Sequence, residues 1–365
     1  MLDWLGQQLT GFWGPFRLLN SHLFLATLGA MAAAVVNYLL LDRFQKKLPP
    51  DRGKDLAVEG DKSRGKPTAA GVIFIPVTLV IGLLVVPFRL DYLAIFGLVF
   101  LAMLSGYYDD RAAKPWGEYR KGFFDLVIAS LAAIAIFGFD PVEIWLPFYA
   151  PKVAGVVATG LDPAGLQPLL ISSGYYLPLA TVILWVSINA TNCSDGVDGL
   201  SGTLLAFAFL CLGGLLYGVV GHQEISAYLL VPFYPDGADW AILSFTFIGA
   251  LFAYLWFNAH PSHLLMGDAG SRPLGLLLGI LVLAAGNPFL ILVTGMILLA
   301  NGATGLVKVA LLRFLQVGIF KKVRFPFHDH CRENWGWSNT QVLVRFMILQ
   351  ALLTPLLIVL FLKIR

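Results

Sequence analysis

A chain of 365 residues that is 58% hydrophobic and only 13% charged has about half the charge density of an ordinary soluble domain. Such a chain cannot cover a water-facing exterior, yet it is too apolar for disorder, and its 37 glycines without period and 3 cysteines exclude collagen-like and disulfide-stapled classes. A polytopic all-α membrane protein is what remains, and the net charge of +3 gives no ground for a nucleic-acid partner.

Residues 1–22 read as an interfacial stretch, with Trp4, Leu5, Leu9, Phe12, Trp13 and Phe16 on an amphipathic segment. Asp3 precedes the first basic residue, Arg17, which argues against a cleaved leader. A crossing helix needs roughly 20 apolar residues. Ten windows approach this: 23–41, 69–88, 92–108, 122–139, 175–191, 200–220, 240–257, 273–285, 288–312 and 342–362. The eighth is short. The ninth carries Asn301, Gly302 and Gly305 and is expected to be bent or broken. Residues 140–174 form a Pro- and Gly-rich outer loop, in which Val153 to Val157 suits a short hairpin. Cys193, Cys211 and Cys331 lie in or beside apolar segments without metal-ligand spacing and read as reduced packing residues. No internal repeat is seen, and 1–365 reads as one integral-membrane domain.

The charges are distributed unequally. Loops after odd-numbered segments hold 18 of the 25 basic residues, whereas 221–239 holds none and 140–174 only Lys152. The positive-inside rule then makes the odd loops cytoplasmic and places both termini outside. Five acids at membrane edges fall on the same face: Asp109 and Asp110 after the third segment, Asp195 and Asp198 after the fifth, and Asp268 after the seventh. Acids at such positions are costly to keep and signal function.

Each cluster has its own chemistry. Adjacent Asp109 and Asp110 cannot both ionise cheaply without a cation nearby, although Arg111 and Lys114 could also simply pair with them. Asn189 to Leu200, with Asn192, Asp195 and Asp198, contains two Asp-Gly steps three apart, a polar turn that gathers amides and carboxylates. Asn258 to Ser271 ends in Gly267-Asp268-Ala269-Gly270-Ser271, which opens a helix. Backbone N–H groups there favour phosphate, and Asp268 suits Mg²⁺; a plain helix cap by Asp268 or Ser271 is the simpler alternative. His328 and His330 follow Lys321-Lys322-Val323-Arg324 and suit phosphate oxygens better than zinc, because further ligands at suitable spacing are missing. Lys62 to Thr68 is a juxtamembrane basic stretch, for which attraction to anionic lipid is the plainer role. Together these parts suit phosphoryl transfer between a soluble anionic substrate and a lipid phosphate.

The motifs Asp109-Asp110, Asn189-x-x-Asn192-x-x-Asp195-Gly-x-Asp198-Gly-Leu, Met266-Gly-Asp268-x-Gly-Ser271 and the His328/His330 loop resemble the polyprenyl-phosphate N-acetylhexosamine-1-phosphate transferases. Arg64-Gly65-x-Pro67-Thr68-x-x-Gly71 and Gly336-Trp337 followed by Val344-Arg345-Phe346 resemble the phospho-N-acetylmuramoyl-pentapeptide-transferase branch, over roughly residues 60–350. The resemblance implies ten transmembrane helices in a bacterial inner membrane with a cytoplasmic active site, and a homodimer. The implied reaction moves phospho-MurNAc-pentapeptide from UDP-MurNAc-pentapeptide to undecaprenyl phosphate with Mg²⁺, releasing UMP and forming lipid I, in one step or through an aspartyl-phosphate. It also assigns Asp268 to the metal and Asp109, Asp110 and Asp268 to catalysis. Lys62, Thr68, Asn189, Asn192, Asp195, Asp198, Asn258, His328 and His330 are assigned to substrate. Asp329 stands at the middle of the family's histidine triplet and Leu265 at its uracil-stacking aromatic. The substrate-contacting lysine is displaced to Lys62, and Lys114 and Lys121 correspond to lysines of the acidic loop.

A GlcNAc-1-phosphate transferase for another surface polymer is the related alternative, disfavoured by the stretch from Gly336 to Phe346. A carboxylate-gated transporter is the alternative of another class. It would need acids near mid-membrane and repeated halves, whereas these acids sit at segment ends.

Overall fold

The computed structural model describes residues 1–53, 60–112, 114, 116–149 and 169–364, with the Lys62 side chain excepted. The Val153 to Val157 hairpin therefore lies outside the described residues. Amphipathic α1 (Leu2–Leu9) and a 3₁₀ turn lead into α2 (His22–Phe44), and Trp4, Phe12 and Trp13 are left exposed. Then come α3 (Gly71–Val85), α4 (Leu90–Arg111) and α5 (Glu118–Phe137). Two short antiparallel strands follow, β1 (Val142–Ile144) and β2 (Leu169–Ile171), paired Val142 to Ile171. Next are α6 (Ser173–Ser194), α7 (Leu200–Leu215), the short α8 (Gln223–Tyr228), α9 (Gly237–Asn258) and α10 (Asp268–Ala284).

The expected break in the ninth window is present. The chain passes through α11 (Ile291–Thr294), α12 (Met296–Leu298), a π-helical turn at Leu299–Ala303, α13 (Thr304–Ala310) and a second π turn at Leu311–Leu315. Finally, α14 (Phe327–Trp335) precedes α15 (Asn339–Lys363), which opens on a capping box formed by Ser338 and Gln341.

Among the described residues, seven helices are long and apolar enough to cross a membrane by length and composition: His22–Lys47, Leu90–Arg111, Ser173–Ser194, Leu200–Val220, Gly237–Asn258, Met296–Leu315 and Asn339–Lys363. The other three expected windows coincide with α3, α5 and α10. Helix α10 occupies the middle of the bundle. Every residue from Ala269 to Leu283 is buried, and α3, α4, α6 and α7 pack around it. This burial explains why α10 manages with 17 residues and one polar end: protein, not lipid, surrounds it.

Close approach at its first turn depends on missing side chains. A Cβ on Gly71 would strike the Ala269 carbonyl and the Gly270 nitrogen, and one on Gly106 the Asp268 carbonyl. Helices α3 and α4 thereby hold the start of α10 between them. Gly71→Ala or Gly106→Ala is expected to destabilise the detergent-solubilised protein by about 1–3 kcal/mol through overpacking. Gly97→Ala, whose Cβ meets open space on α4, is expected to be neutral or stabilising by up to about 1 kcal/mol. Thermal melting of the three variants decides whether the effect belongs to the α10 contact or to helical glycines generally.

Candidate active site

The start of α10 supplies backbone donors that its own side chains do not cap. Its N-cap residue, Gly267, has no side chain, and Ser271 Oγ donates to the Gly267 carbonyl. The cap comes from α4. Asp110 Oδ1 accepts the Asp268 N–H at 3.1 Å and Asp110 Oδ2 accepts the Ala269 N–H at 3.0 Å. A carboxylate against a helix N-terminus is favoured by both hydrogen bonding and the helix dipole.

Its neighbour Asp109 faces different partners. Asp109 Oδ1 accepts the Trp116 N–H at 2.6 Å, and its Oδ2 is paired with Lys121 Nζ from α5. The same ammonium lies 3.0 Å from Asp268 Oδ2. Asp109, Asp110 and Asp268 are thus brought together, with Lys121 completing the cluster. The backbone leading into Asp268 is tied to the first loop: Leu265 N donates to the Pro67 carbonyl, Ala70 N to that of Leu265 and Gly71 N to that of Met266. Thr68 is buried and its N–H donates to the Pro49 carbonyl.

A second group forms on the turn between α6 and α7. Asp198 accepts Ser262 Oγ at 2.7 Å and the Ser262 N–H at 3.1 Å, and lies 2.9 Å from His260 Nδ1. Lys66 Nζ donates to Ser262 Oγ at 3.0 Å. Burial alone would raise the Asp198 carboxyl, but the Ser262 and His260 contacts and the Lys66 charge outweigh it and hold the group below the usual carboxylate range. Asp195 accepts from Ser201 Oγ at 2.6 Å. Asn258 bridges the turn to its own loop, accepting from Gly199 N at 2.8 Å and donating to the Leu264 carbonyl at 2.7 Å.

His328 reaches this turn from α14, its ring lying against Gly196. Asn301, in the π turn at Leu299–Ala303, uses Oδ1 to accept from His328 N at 2.8 Å and from Nδ1 at 3.1 Å. That orients the ring with Nε2 toward the turn. Other candidates sit apart from these contacts. His330 stacks on Phe327 and packs edge-on against Trp335. Asn189 donates back to the Trp185 carbonyl of its own helix, and Asn192 is half-buried on the last turn of α6. Buried Asp329 lies 3.5 Å from Arg332 Nη1.

Residues missed by the sequence reading are equally informative. Lys66, which approaches Asp198, falls in the basic stretch whose plainer role is attraction to anionic lipid, and Lys121 stands out in sequence only as a counterpart of a family lysine. Arg272 and Asp125 were missed altogether. Their signal is a charge inside the apolar window of α5, at Asp125, and one at the very edge of the window of α10, at Arg272.

With this geometry in place, comparison with known proteins supplies the family. The glycosyl transferase family 4 model matches residues 92–286. Proteins named phospho-N-acetylmuramoyl-pentapeptide-transferase align over nearly the whole chain. One from Treponema pallidum (strain Nichols) is 48% identical over 346 residues, 94% of this chain and 91% of its own. One from Aliarcobacter butzleri is 32% identical over 85% of both chains, and one from Brachyspira hyodysenteriae 30% identical over 88% and 90%. The chain belongs to the phospho-N-acetylmuramoyl-pentapeptide-transferase family. In this member of the family the match ends at residue 286, so it takes in both acidic groups but stops short of Asn301 and His328.

The Asp198 contacts set a pH prediction. A carboxyl with a lowered folded-state pKa contributes stability that is full above its unfolded value of about 3.9 and lost as pH falls through the lower folded value. Asp198→Asn is expected to lower the melting temperature at pH 7, at a cost of about 1–3 kcal/mol, and to flatten the acid end of the melting profile between pH 5 and 3. A parent-like profile in the variant removes this role from Asp198.

Proposed function

We propose that this protein transfers phospho-MurNAc-pentapeptide from UDP-MurNAc-pentapeptide to undecaprenyl phosphate, giving lipid I and UMP. One observation carries the reading. A chain 48% identical over 94% of its length to a transferase of that name gathers Asp109, Asp110, Asp268 and Lys121 at the buried start of one helix. The reacting groups are phosphates on both sides, for which placement and charge balance matter more than covalent chemistry. The ten-span arrangement counts α3, α5 and α10 with the seven longer helices, puts both termini outside, and sets the acidic groups at the cytoplasmic face of a bacterial inner membrane, as the basic loops favour.

The donor set fits Mg²⁺. Oxygens of Asp109 and Asp268 converge beside the Lys121 ammonium, a grouping suited to cations and phosphate oxygens. Among the described residues no group of three or more His, Cys, Asp or Glu is arranged as a cage. Mg²⁺ typically uses one or two carboxylates together with substrate phosphates, so none is required. Asp268 would hold the ion, with the Lys121 ammonium beside it. When bound, it would neutralise charge on the pyrophosphate.

In the direct route, an oxygen of the lipid phosphate bonds to the sugar-linked β-phosphorus. The bond from that phosphorus to the bridging oxygen breaks, and UMP leaves with the electron pair. Lys121 places positive charge beside the acids, where the transferring phosphoryl group gathers negative charge. Asp110 holds the α10 amides and with them the Asp268 carboxylate. The Asp198 group, with Asp195 and Lys66, faces the nucleotide on a turn braced by Asn258, and His328 faces the pyrophosphate.

Purified full-length protein supplied with UDP-MurNAc-pentapeptide, undecaprenyl phosphate and Mg²⁺ is expected to release UMP. Asp268→Asn is expected to lose at least about a hundredfold in kcat, and Lys121→Met at least about tenfold, in line with removal of charged groups at a reacting centre. Release with UDP-GlcNAc but not with UDP-MurNAc-pentapeptide would overturn the donor. Full Mg²⁺-dependent turnover by Asp268→Asn would remove the metal from that residue.

A further inference from the structure

Helices α5 and α10 are joined by two ion pairs of opposite sense. On α5, Lys121 and Asp125 are four residues apart; on α10, Asp268 and Arg272 are four apart. That spacing stacks each couple on one helix face. Lys121 pairs with Asp268, and Asp125 with Arg272. The second pair is sealed from solvent, with side-chain exposures of 2% for Asp125 and 0% for Arg272.

Its contacts are specific. Arg272 Nε and Nη2 donate to Asp125 Oδ1 at 3.0 and 2.6 Å, and Nη2 also donates to the backbone carbonyl of Lys121 at 3.2 Å. Arg272 Nη1 is buried with no hydrogen-bond partner among the described residues. Stability is a weak reason for such a pair. Two buried charges replaced by apolar residues of similar volume often leave a protein equally or more stable, and here one donor is left unmet as well. What the pair does that an apolar contact cannot is hold the Lys121 carbonyl. The lysine stem is a flexible four-carbon chain, so an ammonium shared by two carboxylates needs its backbone fixed.

We propose that Asp125 and Arg272 are positioning residues for the transfer reaction: Arg272, oriented by Asp125, anchors the Lys121 backbone and so sets the lysine ammonium between Asp109 and Asp268. The proposal rests on the phosphoryl-transfer reading of that centre. Neither residue touches substrate, so their removal acts on the chemical step through Lys121.

Two full-length double variants test it. Asp125→Leu with Arg272→Met removes both charges and keeps the volume. Asp125→Arg with Arg272→Asp keeps a buried ion pair but leaves α10 with no donor for the Lys121 carbonyl. Both are expected to melt within about 5 °C of the parent, to keep KM for both substrates within about twofold, and to lose roughly tenfold to a hundredfold in kcat, the scale of a misplaced group at a reacting centre. Parent-level kcat in either folded variant overturns the proposal, as does a KM rise that accounts for the whole loss. Failure of both variants to fold makes the pair purely structural and overturns it too. The constants are read with whichever nucleotide sugar the parent turns over, so failure of the lipid I reading is a separate outcome.

Discussion

The structure depends on how the buried start of α10 is satisfied. A helix beginning inside a bundle leaves backbone N–H groups unbonded, and each one left so costs free energy comparable to a lost hydrogen bond. Here Gly267 provides no cap, and Asp110 from α4 accepts two of the amides. That contact is possible because α3 and α4 present glycines to the first turn, bringing backbone against backbone. Once α10 is seated, its first residue is Asp268, which meets Lys121 from α5. One constraint, amide satisfaction at a buried helix end, therefore fixes the mutual positions of three carboxylates and one lysine from three helices.

The adjacent acids are separated by task. Two neighbouring carboxylates repel if both face the same cation-poor space. Successive residues on a helix point about 100° apart, and the bundle uses this. Asp110 is turned to the α10 amides, whereas Asp109 is turned to Trp116 N and Lys121. The Asp198 group solves the same problem by other means, with a serine, a histidine and Lys66 in place of a helix terminus.

Much of this was legible in the sequence because it is local. Each of the ten apolar windows falls on helix, the glycine- and asparagine-bearing window is broken by π turns, and the Asp-Gly steps do form a polar turn. Pairings between distant segments were not legible. Lys121 and Asp268 are 147 residues apart, as are Asp125 and Arg272, and no periodicity within either helix reveals them. Hydropathy also misled at one boundary. The apolar window starts at 273, just past Arg272, because a charge ends an apolar run; the Gly267-to-Ser271 motif marks the start better, since the helix begins at Asp268 with Arg272 inside it and fully buried. His328 and His330 look equivalent in sequence. Their two-residue spacing turns one toward Asn301 and Gly196 and the other into the aromatic stack of Phe327 and Trp335.

The break at Leu299–Ala303 links the later part of the chain to the earlier acids. A regular helix there would donate and accept within itself, and its polar side chains would have no reason to face α14. The π turn widens the helix by one residue. Gly302 lets the widened turn approach the Ala190 carbonyl of α6, while neighbouring Asn301 accepts two hydrogen bonds from His328. Ala190 of α6 and His328, whose ring lies against Gly196, are thus both met by a single defect in a neighbouring helix. A histidine placed by a helix defect and an aspartate placed by a borrowed cap share one logic. In both, a backbone irregularity of the apolar scaffold is satisfied by a polar side chain from another helix, and that contact sets the position of a functional group.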